Sequence, residues 1–437
     1  MVLGWRKRKK NRHEEGNKVV EVLVTPNHLC CPISLELMKD PVTLSTGITY
    51  DRECIERWFD EGNYTCPVTN QIVTNLDLIP NHTLRIMIQH WCVLNQQHGV
   101  QRIPTPRVPI TPIEVQHLLL NIKASATCLD QHECLRLVQK IQRSGAESER
   151  NKRCMVENGA PHALAFAFHA FAADSIENNV SVLHHILLPL NSMFPIELEA
   201  HKHLGSFDSL RCMVWFLKHQ DLSGKESSIV ALRKLLSFGD HRHVEALAQI
   251  EGVNQVLVEF LNQRIFSPTI TKASLALIWC LVSSSCPSSE KMKLKFVELG
   301  LVSWLLEILV DSERSLCEKA LAVLDSLCSC QQGRQKAYAN ALTIPLLVKK
   351  LLRVSALGTD YSVSAIWKLY EFEERDQEMV LLQALQVGAF QKLLLVLQVG
   401  SAQSTKDKAT HLLKLLNPFR PLVQCIDSDF KNLKTSI

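Results

Sequence analysis

The larger, C-terminal part of the chain is a succession of leucine-rich windows in which apolar side chains recur with the spacing of an α-helix. The clearest pattern is an alanine followed by apolar residues four and seven positions later, which places three apolar side chains on one helix face. Its five copies begin at Ala231, Ala273, Ala320, Ala365 and Ala409. Because these alanines lie 42 to 47 residues apart, the pattern predicts structural repeats.

A second landmark alternates with these apolar stripes. Between successive copies, a small residue interrupts the pattern before the next apolar helix, at Gly252, Gly300, Ala341 and Gly388. Two landmarks that alternate with one period are typical of solenoids whose units contain two or three helices. Each unit of a solenoid buries its apolar face against its neighbours and contributes to a concave binding surface.

Weaker copies of both landmarks occur earlier in the chain. Gly159 precedes an apolar helix, and Val180, His184 and Leu187 form a candidate stripe. The alternative is a globular helical domain in which a common residue pair recurs by chance. We favour an all-α helical-repeat solenoid over residues 113–437.

This region offers few groups that suit catalysis. The histidine pairs His184–His185 and His241/His243 lack further ligands at a spacing that suits a metal ion. No glycine-rich phosphate loop, nucleophile elbow or HExxH motif occurs in the sequence. The repeats are therefore expected to be a recognition surface.

Residues 22–99 differ from the repeats in their pattern of apolar and turn residues and form a separate domain. They contain short apolar stretches, turn residues and one clear helix at residues 51–59. The prolines that follow predict a semi-rigid linker over residues 100–112. They are Pro104, Pro106, Pro109 and Pro112.

The first helix after the linker has a well-marked start. Thr111 suits the N-cap, Pro112 the first helical position and Glu114 the third position of a capping box. We therefore predict that the repeat region begins at this point.

Composition and charge exclude several classes of protein. Of the 437 residues, 46% are hydrophobic and 21% are charged, which is too apolar for a disordered chain. Lys and Arg number 48 and Asp and Glu 44, and a net charge of +4 does not favour nucleic-acid binding. No apolar run reaches the ~18 residues of a transmembrane helix, so we expect no membrane span.

The N-terminal residues and the cysteines indicate in which cellular compartment the protein is expected. Residues 1–21 form a basic tail without the apolar core of a signal peptide, and Val2 excludes N-myristoylation. The 15 scattered cysteines then indicate a reducing compartment. We expect a cytoplasmic protein, with the nucleus as the alternative if the basic cluster at residues 6–12 acts as an import signal.

Several motifs in residues 28–92 occur in the order of a RING cross-brace. Cys31-Pro32-Ile33-Ser34 comes first, and Tyr50-Asp51 leads into a helix that contains Trp58. Cys66-Pro67-Val68-Thr69 follows. In a RING domain, such segments hold two zinc ions.

Zinc ligands are nevertheless missing at both sites. The first site would consist of Cys31, Ser34, Asp51 and Cys54, which is a poor ligand set for zinc. The second would hold Cys66 without a matching cysteine or histidine. We therefore predict no metal, with polar side chains that hydrogen-bond across the two loops. The small apolar core is expected to comprise Leu37, Val42, Ile55, Ile79 and Leu84.

This pattern resembles the U-box, the zinc-free relative of the RING domain. Together with the linker and the armadillo-type repeats, the chain resembles the plant U-box/armadillo ubiquitin ligases. The resemblance implies a small α+β domain followed by an all-α solenoid. It also implies ubiquitin transfer from a charged conjugating enzyme to a substrate held by the repeats. Such ligases form no covalent intermediate and need no cofactor, since they act by orienting the thioester.

The residues that would dock the conjugating enzyme follow from local chemistry and from the resemblance. Each Cys-Pro turn stiffens its loop, which favours outward positions for Ile33 and Pro67, although simple burial is the alternative. Trp58 joins them by resemblance, with burial as a serious rival. Asn70 stands where many such ligases have a basic residue, so its contact is expected to be weaker.

The remaining motif residues are expected to maintain the U-box structure. They are Cys31, Pro32, Ser34, Tyr50, Asp51, Cys66 and Thr69. Two other functions compete with the ligase. One is a non-catalytic armadillo scaffold with the same fold, and the other is a degenerate zinc finger that acts on nucleic acid. Pairing of the U-box with a second copy is left open.

Overall fold

A computed structural model describes residues 25–103, 110–262, 265–283, 287–371, 377–399 and 402–422. The predicted tail, residues 104–109 of the proline-rich linker and the predicted repeat residues after 422 lie outside these ranges. The chain forms two compact units, which divide at Pro109 and Ile110. Each unit has its own hydrophobic core.

The first unit is built around a small antiparallel sheet with strand order β2-β1-β3. Val42 of β1 lies opposite Tyr50 of β2 and Pro80 of β3. The strands and helices are β1 Pro41–Thr43, β2 Thr49–Asp51, α1 Arg52–Asp60, β3 Ile79–Pro80 and α2 His82–Leu94. Helix α1 therefore follows β2 without a loop.

The core of this unit contains most of the predicted apolar residues. Val42 and Ile55 are fully buried, and Leu37 and Leu84 pack against them half-buried. The prediction for Ile79 is wrong, because its side chain is 62% exposed. Its strand has two residues and pairs only with β1, so it lies at the sheet edge. Two residues from the predicted linker, Val100 and Ile103, also pack here.

The second unit is helical throughout its described residues. Its helices are α3 Pro112–Thr127, α4 Gln131–Glu147, α5 Glu149–Glu157, α6 Ala160–Asp174, α7 Val180–Ser192, α8 Leu198–Leu204, α9 Phe207–His219, α10 Leu222–Leu236, α11 His241–Gln249, α12 Val253–Glu259, α13 Pro268–Ser283, α14 Pro287–Glu298, α15 Leu301–Asp311, α16 Arg314–Leu327, α17 Gln331–Tyr338, α18 Thr343–Lys350, α19 Ala356–Glu371, α20 Gln377–Gln386, α21 Ala389–Gln398 and α22 Gln403–Leu416. Every third helix from α4 to α22 packs against the next in this series. The unit is thus an array of armadillo-type helical repeats.

Both landmarks of the sequence pattern are confirmed in this array. The five stripe alanines are buried in α10, α13, α16, α19 and α22. Gly252, Gly300 and Gly388 lie directly before helices with φ of 79°, 75° and 83°. Left-handed backbone of this kind favours glycine, which explains the recurrent small residue. At the fourth break, the Asn340 side chain instead accepts a hydrogen bond from the backbone of Leu342 at 3.0 Å.

The start of the array is also confirmed. Thr111 Oγ1 accepts a hydrogen bond from the backbone of Glu114 at 3.3 Å, and Glu114 Oε2 accepts one from the backbone of Thr111 at 2.9 Å. This is the predicted capping box. The earlier copy at Gly159 is present as well, with φ of 84° before α6. In α7, Leu187 is buried while Val180 and His184 are half-buried.

None of the described helices is by itself long and apolar enough to span a membrane. Only Glu378–Gln386 and Ala389–Gln398 taken together have such a length and composition, and an 80° bend separates them.

Lysines connect neighbouring repeats in the array. Lys368 Nζ donates to both the carbonyl and the carboxylate of Asp325 at 2.8 Å. Lys392 Nζ donates to the carbonyl of Val348 at 2.6 Å, also one repeat earlier. These acceptors lie in the last turns of their helices, where cations are favoured. Side-chain contacts thus satisfy the ends of successive helices.

We predict that Lys368→Met destabilises the array. The Lys368 and Asp325 side chains are 18% and 15% exposed, so the substitution leaves a largely buried carboxylate unpaired. We expect a loss of about 2 kcal/mol in the free energy of unfolding. Urea denaturation of the full chain, followed by helical circular dichroism, measures this loss. Lys336→Met, on the exposed side of α17, is the control, and equal stability of the two variants would contradict the prediction.

Candidate functional site

The first of two similar loops comprises residues 31–37 and is called loop 1. The backbone N–H of Cys31 donates to the carbonyl of Glu36 at 2.8 Å, and the carbonyl of Cys31 accepts from Leu35 at 2.8 Å. Leu35 has a left-handed backbone, with φ of 59°. The Ser34 hydroxyl accepts a bond from the backbone of Glu36 at 3.3 Å, which tightens the turn.

The second loop, residues 66–72, repeats this arrangement and is called loop 2. The N–H of Cys66 donates to Gln71, and its carbonyl accepts from Asn70, both at 2.8 Å. Asn70 has φ of 56°, like its counterpart in loop 1. Thr69 Oγ1 accepts a bond from the backbone of Gln71 at 3.5 Å. The two Cys-Pro motifs therefore form two equivalent turns.

Asp51 anchors loop 1 to the start of α1. Its carboxylate accepts hydrogen bonds from the backbone of Lys39 at 2.9 Å and of Asp40 at 2.7 Å. Its own N–H donates to Cys31 Sγ at 3.3 Å. Arg52 Nε, one residue later, donates to the Asp40 carboxylate at 2.7 Å. Hydrogen bonds and an ion pair thus hold the segment that a first zinc ion would organise.

Tyr50 anchors loop 2 from the other side of the same strand. Its hydroxyl lies 3.0 Å from Cys66 Sγ and accepts a bond from the backbone of Val68 at 3.2 Å. The Thr46 hydroxyl donates to the same sulfur at 3.4 Å. Tyr50 and Cys66 are fully buried, so the contact between their side chains is shielded from water.

The hydrogen bonds around the Cys66 sulfur change the pKa of its thiol. Burial raises the pKa of its thiol, but hydrogen bonds from the hydroxyls of Thr46, Thr69 and Tyr50 and from the backbone of Thr69 outweigh burial and lower the pKa to about 6. Burial and the contact with Cys66 raise the pKa of Tyr50, which keeps its hydroxyl protonated as a donor. The network therefore favours a thiolate that accepts several bonds.

Trp58 connects α1 to loop 2. Its indole Nε1 donates to the carbonyl of Thr65 at 2.8 Å, directly before the loop begins. The ring is half-buried and packs against the core. The side chain thus makes a structural contact and keeps part of its surface exposed to solvent, and its role in docking stays a prediction.

The other predicted docking residues lie on the two loops. Ile33 in loop 1 and Pro67 in loop 2 are half-buried, and Asn70 is exposed at the tip of loop 2. Both turns are held to the β2–α1 segment by the contacts described above. Their role in docking stays a prediction.

The residues predicted to maintain the structure fall into two groups. Cys31, Tyr50 and Cys66 are fully buried, and Asp51 is half-buried. Pro32, Ser34 and Thr69 are exposed on the turns. Among the residues that the structure describes, no group of three or more His, Cys, Asp or Glu side chains is placed to hold a metal ion.

Sequence reasoning missed several apolar side chains on these loops. Leu35 is 78% exposed in loop 1, and Val68 and Ile72 are 52% and 76% exposed in loop 2. The signal available in the sequence was the repetition of Cys-Pro-x-Ser/Thr, which places Leu35 and Asn70 at equivalent positions. Comparison of the two motifs would have marked both residues.

The repeats contain a separate cavity of about 330 Å³. It is lined by α10, α13, α16 and α19, with Arg233, Trp279, Lys319 and Tyr361 among its side chains. Trp279 is 40% exposed. An exposed aromatic residue beside cationic and polar groups is a suitable contact for a protein partner.

Comparison with known proteins divides the chain into the same two parts as the structure. The family described as "U-box domain" matches residues 25–97, and the family described as "Plant U-box protein ARM repeat region" matches residues 114–437. U-box domain-containing protein 21 of Arabidopsis thaliana is 42% identical over 436 residues, with 99% of this chain and 96% of the relative covered. E3 ubiquitin-protein ligase PUB23 of the same plant is 36% identical over 408 residues, with 92% and 94% covered.

The lowered pKa of Cys66 predicts a pH-dependent stability for the first unit. A thiol whose pKa falls from 9.0 to about 6 on folding contributes stability that is complete above pH 9 and is lost as the pH falls toward 6. We therefore expect the free energy of unfolding of a fragment of residues 20–103 to rise between pH 6 and about pH 8, by at most ~1.4 kcal/mol per pH unit.

Chemical denaturation of this fragment at several pH values measures the rise. Cys66→Ser should remove most of the pH dependence. Cys92→Ser, which alters another fully buried thiol of the same core, is the matched control and should retain it. Equal pH profiles for the wild-type fragment and Cys66→Ser would show that the thiolate does not form.

Proposed function

The chain belongs to the plant U-box family with armadillo repeats, and we propose that it is a ubiquitin-protein ligase whose U-box docks a ubiquitin-conjugating enzyme. The observation that carries this proposal is the pair of equivalent turns, loop 1 and loop 2, which present apolar side chains on a fixed frame. Partner loops that insert between such side chains would find a small hot spot.

The proposed mechanism is orientation of a thioester without a covalent intermediate. Cys31 and Cys66, the thiols of the two loops, are both fully buried, which disfavours either as an acceptor of ubiquitin. The hydrogen bonds of Asp51 and Tyr50 fix the two turns before a partner arrives. Preorganised geometry of this kind can accelerate attack by a lysine that the conjugating enzyme already exposes to its thioester.

Asn70 sets an expected limit on this activation. Its exposed side chain lies at the tip of loop 2, and a left-handed backbone is better tolerated by asparagine than by most residues. The amide can hydrogen-bond to the conjugating enzyme and to ubiquitin. Without a charge the bonds should be weaker than those of an arginine or lysine.

The proposed substrate surface is the cavity on α10, α13, α16 and α19. Trp279 and Tyr361 supply aromatic area, and the charged lining residues are Arg233, Glu318 and Lys319. A protein substrate held here would be presented to the thioester on the conjugating enzyme. A cytoplasmic location, nuclear entry through residues 6–12 and pairing of the U-box with a second copy are further proposals.

We predict that Ile33→Ala and Pro67→Ala each abolish transfer while the fold is retained. Each removes an apolar contact from a small interface, and truncation of a hot-spot residue costs about 2 kcal/mol or more, which is roughly thirtyfold in affinity. The measurement is discharge of a ubiquitin-charged conjugating enzyme onto free lysine, with circular dichroism to verify folding.

Ile113→Ala is the matched control for that experiment. Ile113 lies on α3 in the repeat unit and is 79% exposed, so its truncation should leave discharge unchanged. Full activity of both loop variants would place the docking face elsewhere. A wild-type protein that binds the charged enzyme without discharging it would instead support the scaffold.

We predict that residues 1–112 alone discharge the charged enzyme at the rate of the full chain. All the proposed docking residues lie in this part, and the repeats supply only substrate binding. The same fragment should fail to modify a substrate that the full chain modifies. A fragment that is inert until residues 113–437 are added would show that the repeats belong to the catalytic unit.

A further inference from the structure

Five of the described histidines lie around α8, a short helix near the middle of the repeat unit. On one side of this helix, His203 contacts His162 and His169 of α6, with ring centroids 5.5 and 5.9 Å apart. On the other side, His201 stacks on His243 of α11 at 5.9 Å, with 14° between the ring planes. Helix α8 is thus joined to two neighbouring helices through imidazole rings.

The stacked pair is buried in a form that suits neutral rings. His201 and His243 are 6% and 9% exposed, and His201 Nε2 and His243 Nδ1 have no hydrogen-bond partner. The His243 ring packs against the backbone of Gly205 so closely that a β-carbon at position 205 would have no room. Because a protonated imidazole donates from both nitrogens, a charge here would be buried with an unsatisfied donor.

The charged groups near the buried pair lie at the start of α11. Asp240 Oδ2 is 4.0 Å from His243 Nε2 and favours a proton on both rings of the pair. Arg242 pairs with Asp240 at 2.8 Å and opposes a proton on His243. Among the described residues, α6, α9, α13 and α14 add no charged group that acts on this pair. Burial outweighs Asp240 and lowers the pKa of both histidines.

The half-buried His203 also has neighbours that disfavour a charge. The groups that act on it are His162 and His169 of α6, Lys123 of α3 and Glu199 of α8. Only Glu199 favours a proton on His203, and this carboxylate is itself paired with Lys202 at 2.7 Å. Burial and the three basic groups together lower the pKa of His203. Protonation of one ring in this group therefore disfavours protonation of the next.

We propose that α8 is a pH-sensitive element of the repeat array, which acidification releases from α6 and α11 by charging the histidines that join it to them. This inference does not depend on the ligase function. Since each repeat is stabilised mainly by its neighbours, the release is expected to open the array at this position while distant repeats stay packed.

The direction of the effect follows from proton linkage. In the opened state the rings regain an ordinary pKa of about 6.5, whereas the packed rings bind protons less readily. The opened state therefore binds more protons, so the packing of α8 is fully stable above about pH 7 and weakens as the pH falls below 6.5. Each buried histidine can increase the equilibrium constant for opening by up to about tenfold per pH unit.

Hydrogen–deuterium exchange of the full chain tests the proposal. Peptides from residues 196–205 are followed by mass spectrometry at pH 7.5 and 5.5, with correction for the intrinsic pH dependence of amide exchange. We expect the opening constant of α8 to be at least about tenfold larger at pH 5.5. Peptides from α16, a helix without histidine, should change by less than about threefold.

A double variant identifies the rings responsible. His201→Phe combined with His203→Phe removes both titratable groups of α8 and keeps an aromatic side chain at each position. We expect the rise in its opening constant between pH 7.5 and 5.5 to be at most about a third of the wild-type rise. His132→Phe replaces an exposed histidine of α4 and is the matched control, which should keep the full rise.

A second measurement on the wild-type chain does not depend on how the variants fold. Exchange of the ring C2 hydrogen reports the titration of individual histidines, and His201 and His243 should titrate below about pH 6.5. Titration of both rings at or above this pH would overturn the proposal. So would equal protection of α8 at the two pH values, an equal rise in α8 and α16, or an undiminished rise in the double variant.

Discussion

The first unit depends on one pair of neighbouring residues in β2. Side chains of successive strand residues point to opposite faces of a sheet, so Tyr50 and Asp51 face opposite ways. The Tyr50 hydroxyl holds loop 2 through Cys66 and Val68. The Asp51 N–H holds loop 1 through Cys31, and the Asp51 carboxylate holds Lys39 and Asp40 directly after it. A strand of three residues thereby fixes both turns, and α1 follows it directly. In a RING domain the same task takes two metal ions.

Because hydrogen bonds hold the two loops in place of metal ions, the loop structure depends on each polar partner. A buried network is stabilising when every member is satisfied, and removal of one partner leaves the others at a large energetic disadvantage. Cys66 shows the requirement clearly, because its lowered pKa depends on three hydroxyls that come from Thr46, Tyr50 and Thr69. The frame that presents Ile33 and Pro67 is therefore cooperative.

The sequence predicted those features that local patterns determine. The alanine stripes and glycine breaks of the repeats, the capping box at Thr111 and the two Cys-Pro turns each follow from residues close together in the chain. Features that depend on distant partners could not be read in this way. The burial of Ile79 was predicted wrongly because strand β3 pairs on one side only. Leucine does not favour a left-handed backbone, so Leu35 is marked only by its equivalence to Asn70, and Thr46 reaches Cys66 across twenty residues of sequence.

The two units consequently respond differently to chemical change. In the repeats, each helix contacts mainly its neighbours in the array, and contacts such as Lys368 with Asp325 recur locally, so a perturbation stays within one or two repeats. In the U-box, Cys31 and Cys66 lie within the networks that hold the two loops. A change at one of these buried sulfur atoms is therefore transmitted to the turn that its hydrogen bonds hold.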